Sequence, residues 1–186
     1  MVLRISALYF RTISRDCSLD ASQITQLLQQ FTSLLARIAA THEADSGLQE
    51  DLIQDMSVAI WRALDSSESG ASAFRGEASV KTYITRIAHN RAVDHVLKEQ
   101  RRHESPSSDE MLFDHKLQEK NAHQENAIDL MTALHQLPLP YRQVIALQLE
   151  GFSFAEIGNV LGLKEDAIAQ RSHRARKQLE QIMNRN

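Results

Sequence analysis

Ile24, Leu27, Leu28, Phe31, Leu34, Leu35 and Ile38 recur every three or four residues. That spacing puts all seven on one stripe of an α-helix and on both faces of a strand, so it commits the start of the chain to an amphipathic helix. The same period returns in Leu52, Met56, Ile60, Ala63 and Leu64, then in Val80, Ile84, Ile87 and Ala88, and again in Ile128, Met131, Leu134 and Leu137. With 6 Gly, 3 Pro and 5% aromatic residues in 186, turn formers and β-formers are both scarce. The expected fold is all-α.

The polar breaks set the expected boundaries. Residues 1–20 lack periodicity and are expected to form a flexible leader. A first helical domain covers 21–102, with a polar break from Thr41 to Gly47, a second helix over Leu48–Leu64 carrying Glu50, Asp51 and Asp55 in its first turns, a Ser/Gly/Ala loop over Asp65–Ser79 and a third helix over Val80–Arg101. An acidic flexible linker occupies 103–125, and a second domain covers 126–186. There, Pro138 and Pro140 are expected to end one helix and Tyr141–Leu149 to form the next. Ser153 and Glu156 have capping-box spacing, Gly162 suits a left-handed turn, and a last helix is expected over Lys164–Met183.

Charge is distributed unevenly beneath a net value of −3. Residues 75–102 hold seven basic and three acidic side chains, whereas 21–74 hold two and seven. Basic segments of this kind fit a polyanion, although a solvated charged face explains them equally well on charge alone. The acidic linker or the acidic second helix is expected to lie against the basic faces in the free protein. Cys17 is the single cysteine, which excludes an internal disulfide. The histidines show no HxxxH or HExxH spacing, and no phosphate loop or nucleophile elbow is present. No catalytic residues, metal site or cofactor are expected. No apolar run is long enough for a membrane span, and the chain is expected to be cytoplasmic.

Residues 153–177 follow helix-turn-helix grammar. Gly158 is small where two helices cross, and Leu163 and Ile168 are apolar where the second helix packs back. That helix would expose Lys164, Gln170, Arg171, His173, Arg174, Arg176 and Lys177, a mixture of phosphate-binding cations and polar groups able to reach base edges. A helical hairpin with a basic surface is the plainer alternative. In the first domain, Arg86, Asn90 and Asp94 fall at i, i+4 and i+8 on one helix face, near Arg91. Phe74 with Arg75, and Tyr83 with Arg86, place aromatics beside cations, as capture of an unstacked base requires. Trp61 alone reads more simply as core.

Taken together, Asp51-Leu52-Ile53-Gln54-Asp55 with Trp61-Arg62-Ala63-Leu64, and Phe74-Arg75-Gly76 leading into Thr82–His95, resemble the second conserved region of the extracytoplasmic-function sigma factors of bacterial RNA polymerase. Leu137–Val144, Gly151–Gly158 and His173-Arg174-Ala175-Arg176-Lys177 resemble the family's fourth region. The resemblance implies that Asp51, Leu52, Gln54, Asp55 and Trp61 bind core RNA polymerase. It implies that Phe74, Arg75, Lys81, Tyr83, Arg86, Asn90, Arg91 and Asp94 face the minus-ten element of promoter DNA, and that the C-terminal helix-turn-helix reads the minus-thirty-five element. An anti-sigma factor is the further partner it implies. Tyr83 stands where the family usually has Trp, and Ser172 where an apolar residue is usual. A stand-alone helix-turn-helix regulator would leave the acidic Asp51–Asp55 face without purpose, and a helical protein-protein adaptor would have no DNA affinity.

Overall fold

A computed structural model of the chain describes residues 20–65, 79–104 and 130–184. These residues form helices and connecting turns, with no strand among them. In chain order the helices are α1 (Ala21–His42), α2 (Ser46–Leu64), α3 (Val80–Glu104), α4 (described over 130–136), α5 (Leu139–Leu149), α6 (Phe154–Leu161) and α7 (Glu165–Met183).

Local chemistry starts and stops them. Asp20 caps α1: its carboxylate accepts from the Gln23 N–H at 2.8 Å, while the Gln23 side chain accepts from the Asp20 N–H at 3.0 Å. Asp45 caps α2 by accepting from the Leu48 N–H at 2.9 Å. Each such cap contributes on the order of 1 kcal/mol. The break between α1 and α2 is therefore only residues 43–45, shorter than the sequence suggests. Thr41 and His42 belong to the helix and are buried. With α2 beginning at Ser46, its first turn contains no acid. Glu50, Asp51 and Asp55 lie farther along the helix than expected. Helix α3 continues through Glu104, so residues 103–104 are helical rather than linker. Pro140 sits in the first turn of α5, where its missing N–H costs nothing; it begins a helix rather than ending one.

Helices α1–α3 enclose one core. Leu52, Met56, Ile60, Ile84, Ala88 and Ala92 are buried in it, with Trp61, Tyr83 and Ile87 packed partly buried at its margin. Full burial of a large aliphatic side chain contributes about 1.5–3 kcal/mol, so these stripes outweigh the modest helix propensities of Thr, Val and Ile. The C-terminal helices enclose two adjoining clusters. Val144, Leu147, Phe152, Ile157, Val160 and Ile168 form one; Leu134, Leu137, Ile145 and Ala175 form the other.

The two halves also pack against each other, with α6 meeting α3 and α5 meeting α1. Arg37 of α1 holds Glu150 bidentately, at 2.6 and 2.8 Å. Lys81 of α3 donates to the Glu150 carbonyl at 3.0 Å, and its ammonium lies 4.4 Å from the centre of the Phe152 ring. At the other end of the seam, His135 of α4 bonds the Ala40 carbonyl at 2.8 Å.

Candidate nucleic-acid and protein interfaces

The helix-turn-helix is built by two glycines and a capping box. Ser153 accepts from the Glu156 N–H at 3.3 Å, and Glu156 accepts from the Ser153 N–H at 2.8 Å, which fixes the start of α6. The Ser153 hydroxyl also donates to the Glu156 carboxylate at 2.7 Å; the bonds from the Ser153 N–H and hydroxyl, together with the charge of Lys81, outweigh desolvation and hold the Glu156 carboxyl below the usual range. Gly162 ends α6 at φ 68°, ψ 33°, left-handed as its spacing predicts. Gly158 lies under the turn, where an added Cβ would stand 2.6 Å from the Leu163 carbonyl oxygen. That close approach lets α7 cross α6 with Ile168 buried between them.

Helix α7 then presents Gln170, His173, Arg174, Arg176 and Lys177 to solvent, with Arg171 half-buried. Lys164 is its exposed N-cap residue, without a capping side-chain bond. Glu165 and Asp166 occupy the first turn, where the helix dipole favours acids. Ser172 is buried and donates to the Gln148 side chain at 2.9 Å, so the hydroxyl that replaces an apolar group has its partner.

On α3, Arg86, Asn90 and Asp94 are all exposed, one turn apart each time. Arg91 lies 3.9 Å from Asp94. Tyr83 is half-buried against the first core, its hydroxyl 3.5 Å from the Ala63 carbonyl. Lys81 is engaged across the seam rather than standing with the Arg86 face. Phe74 and Arg75 lie outside the described residues.

On α2, Asp51, Gln54 and Asp55 are exposed. Leu52 is not available to a partner: it points inward, 2% exposed, and belongs to the core. The exposed side of α2 runs on from Asp51 and Asp55 into a cleft lined by Leu28, Ser57, Val58, Trp61, Arg62 and Asp65. Half-buried Trp61 forms one wall of it.

Several residues that shape the seam carry no simple sequence signal. Arg37 and Glu150 are 113 positions apart. His135 sits in α4. His42 and His89 are buried, with ring centres 5.2 Å apart in an edge-to-face arrangement. Burial pushes them down to about 4 and about 3 respectively. Their one sequence clue is position: His42 follows Ile38 by four residues on an apolar stripe, and His89 adjoins buried Ala88. Glu43 accepts from His95 at 2.7 Å and from the Ala44 and Asp45 N–H groups. Burial raises its pKa, but these bonds outweigh it and hold the carboxyl below the usual range. Helix α3 packs against α2 within the first core and meets α6 of the other half; the acidic segment 105–125 lies outside the described residues.

Among the described residues no group of His, Cys, Asp and Glu has the placement to hold a metal ion, and no helix is long and apolar enough to cross a membrane. A model of sigma-70 region 2 matches residues 27–102, and a model of sigma-70 region 4 matches 127–179. The chain is 28% identical over 165 residues to the ECF RNA polymerase sigma factor SigM of Mycobacterium tuberculosis, covering 88% of this chain and 79% of that protein. It is 26% identical to the ECF RNA polymerase sigma-E factor of Haemophilus influenzae, covering 87% of each. Its fold is similar to that of CnrH in complex with the cytosolic domain of CnrY, with a TM-score of 0.65, 24% identity and coverage of 90% of this chain and 91% of that one. It is equally similar to the sigma factor RpoE in complex with the anti-sigma factor NepR from Bartonella quintana, with a TM-score of 0.65, 23% identity and coverage of 86% and 96%.

Proposed function

From the membership of this chain in the extracytoplasmic-function sigma factors, which bind RNA polymerase and direct promoter-specific initiation, we propose how its own residues divide that work. The family acts by binding rather than by catalysis, and the protein works where RNA polymerase does, in the cytoplasm. Residues 21–102 act as the unit that binds core polymerase and the minus-ten element, 126–186 as the unit that binds the minus-thirty-five element, and 103–125 as the connection between them.

The observation that carries this reading is the pairing of two polar faces on one three-helix core: Asp51 and Asp55 with the amide Gln54 on α2, and Arg86, Asn90 and Asp94 on α3. The acids suit a basic protein surface. On α3 the cations suit phosphates, and Asn90 offers a donor and an acceptor to a base edge. Trp61 contributes from the cleft wall, while Leu52 supports the helix from within. Lys164, Gln170, Arg171, His173, Arg174, Arg176 and Lys177 of α7 serve the major groove. Phe74 and Arg75 join Lys81, Tyr83 and Arg91 on the minus-ten side.

The closed packing of the two halves is the resting form, in which Lys81 is withheld from DNA by Glu150 and Phe152. An anti-sigma factor is a further partner, by analogy with the RpoE–NepR complex. The test is transcription in vitro with core polymerase, followed by mapping of start sites. Defined starts that require this protein support the reading. Failure to bind core polymerase, with DNA binding intact, would replace it with a stand-alone regulator.

A further inference from the structure

The seam between the halves contains a cluster of ionisable groups that promoter binding does not use. His135 of α4 lies 2.8 Å from the Ala40 carbonyl in the last turn of α1. A carbonyl only accepts, so the His135 Nε2 carries the proton and Nδ1 is left bare. Beside the ring, Arg142 of α5 donates to the carbonyls of His135 itself, at 2.5 Å, and of Leu137, at 3.2 Å. A fixed positive charge is thus held against the imidazole. From α1 and its C-cap the cluster is faced by His42 and Glu43, and from α3 by His89 and His95. His42 Nδ1 donates to the Ile38 carbonyl at 2.9 Å. Glu43, the cluster's carboxylate, is already engaged by His95 and two backbone N–H groups. Arg37, Lys81, Glu150 and Glu156 stand at the other end of the seam.

We propose that this seam is an acid-released latch, in which a proton added to His135 parts the helix-turn-helix half from the three-helix half and frees Lys81 for DNA. A second charge on the ring would share a confined site with the Arg142 guanidinium, and the opposing pull of Glu43 is the smallest of the influences on the ring. Burial first, and then Arg142, hold His135 below its ordinary value, outweighing the Ala40 bond and Glu43, which act the other way. In the open chain the ring returns to about 6.5, the value of a free histidine. The open form therefore takes up the proton first. Closure is at full strength above that value and weakens as pH falls through the window below it. His42 and His89 stay neutral in the closed chain throughout the range down to pH 5.5.

The consequence for DNA rests on the proposed resting form, but the opening itself is measured without polymerase or DNA, so the two can fail separately. The full chain carrying Cys17→Ser, Ser33→Cys and Gln181→Cys is spin-labelled, and pulsed dipolar distances are recorded at pH 8 and pH 5.5, with helical circular dichroism as the check on folding. Between these values the ratio of open to closed chain is expected to rise up to about tenfold, the limit set by one unit of pH below the free histidine value. His135→Gln keeps an amide donor for Ala40 but cannot titrate, and its ratio should not move. In the otherwise unmodified sequence, the NMR titration of the His135 ring must share the midpoint of opening, whatever the variant does. Distances that do not change with pH, an equal response in His135→Gln, or a ring titration separated from the opening would each overturn the latch.

Discussion

Gly158→Ala is the most informative single change in the helix-turn-helix. The new methyl would sit 2.6 Å from the Leu163 carbonyl oxygen, whereas real Cβ contacts essentially never fall below 3.0 Å. The oxygen cannot swing aside cheaply, because the Leu163 N–H is itself bonded to the Gly158 carbonyl at 2.9 Å and Gly162 fixes the turn between them. Relief must come from moving the start of α7 away from α6. Overpacking of this kind costs about 1–3 kcal/mol. Replacing a helical glycine by alanine returns about 0.5–1 kcal/mol. The mid-range net loss is about 1.2 kcal/mol, within bounds of about 0–2.5 kcal/mol, equivalent to a roughly eightfold increase in local opening. Hydrogen-exchange mass spectrometry on peptides from 154–183 reads that factor directly. Gly162→Ala provides the contrast: no atom lies within 4 Å of its Cβ, so it costs left-handed strain of about 1–2 kcal/mol and leaves the helix crossing in place. The methyl resonances of Ile157 and Ile168 should therefore move in Gly158→Ala and hold in Gly162→Ala. Exchange in Gly158→Ala no faster than in the parent chain would show that the close approach is not a constraint.

Asp51→Arg with Asp55→Arg should abolish binding to core polymerase, since a lost buried interfacial charge pair costs about 2–5 kcal/mol; both residues are exposed, so circular dichroism should be unchanged, and unaltered affinity would remove the assignment. Asn90→Ala should cost about 1–3 kcal/mol of discrimination at one minus-ten position, whereas Arg86→Ala should weaken all promoters and lower the salt slope by about one; a promoter library transcribed at several salt concentrations separates them. Glu150→Ala removes the bidentate partner of Arg37, whose side chain is 58% exposed against 10% for Glu150; an ion pair with one solvent-exposed member contributes about 0.2–1 kcal/mol, so the free chain should bind promoter DNA roughly 1.5- to 5-fold more tightly by fluorescence anisotropy. His42 and His89 titrate near 6.5 when unfolded but at about 4 and about 3 when folded, so stability is full above that upper value and falls with pH, by about 2 kcal/mol for each at pH 5. His89→Leu should remove half of that loss in urea unfolding, and an identical acid loss would refute the assignment.

The elements that were legible in the sequence are those set by short-range chemistry. The apolar stripe from Ile24 to Ile38, the Ser153–Glu156 box and the left-handed Gly162 depend on residues within a few positions of each other, and periodicity reads them directly. Boundaries shifted where a local feature admits two meanings. Pro140 can end a helix or open one, and Thr41 and His42 look polar in sequence yet complete a buried stripe. The exposure of Asp51, Gln54, Asp55, Arg86, Asn90 and Asp94 followed from helical phase. The same phase puts Leu52 inside with Met56 and Ile60, and its burial follows that phase rather than the partner contact that the family resemblance implies. The seam was illegible because no period links Arg37 to Glu150 or His135 to Ala40; those contacts arise only when two separately patterned halves meet.

Because Arg37, Lys81 and His135 find their partners within the same polypeptide, closure is a first-order equilibrium. Dilution does not loosen it, and making more of the protein does not tighten it. Each half meets the other at an effective concentration set by their covalent connection, which does not change with the amount of protein. A competitor for either face must work against that fixed value. The fraction of chains open to promoters is then governed by the amount of free core polymerase and by local chemistry at the seam, rather than by how much of the factor the cell has made.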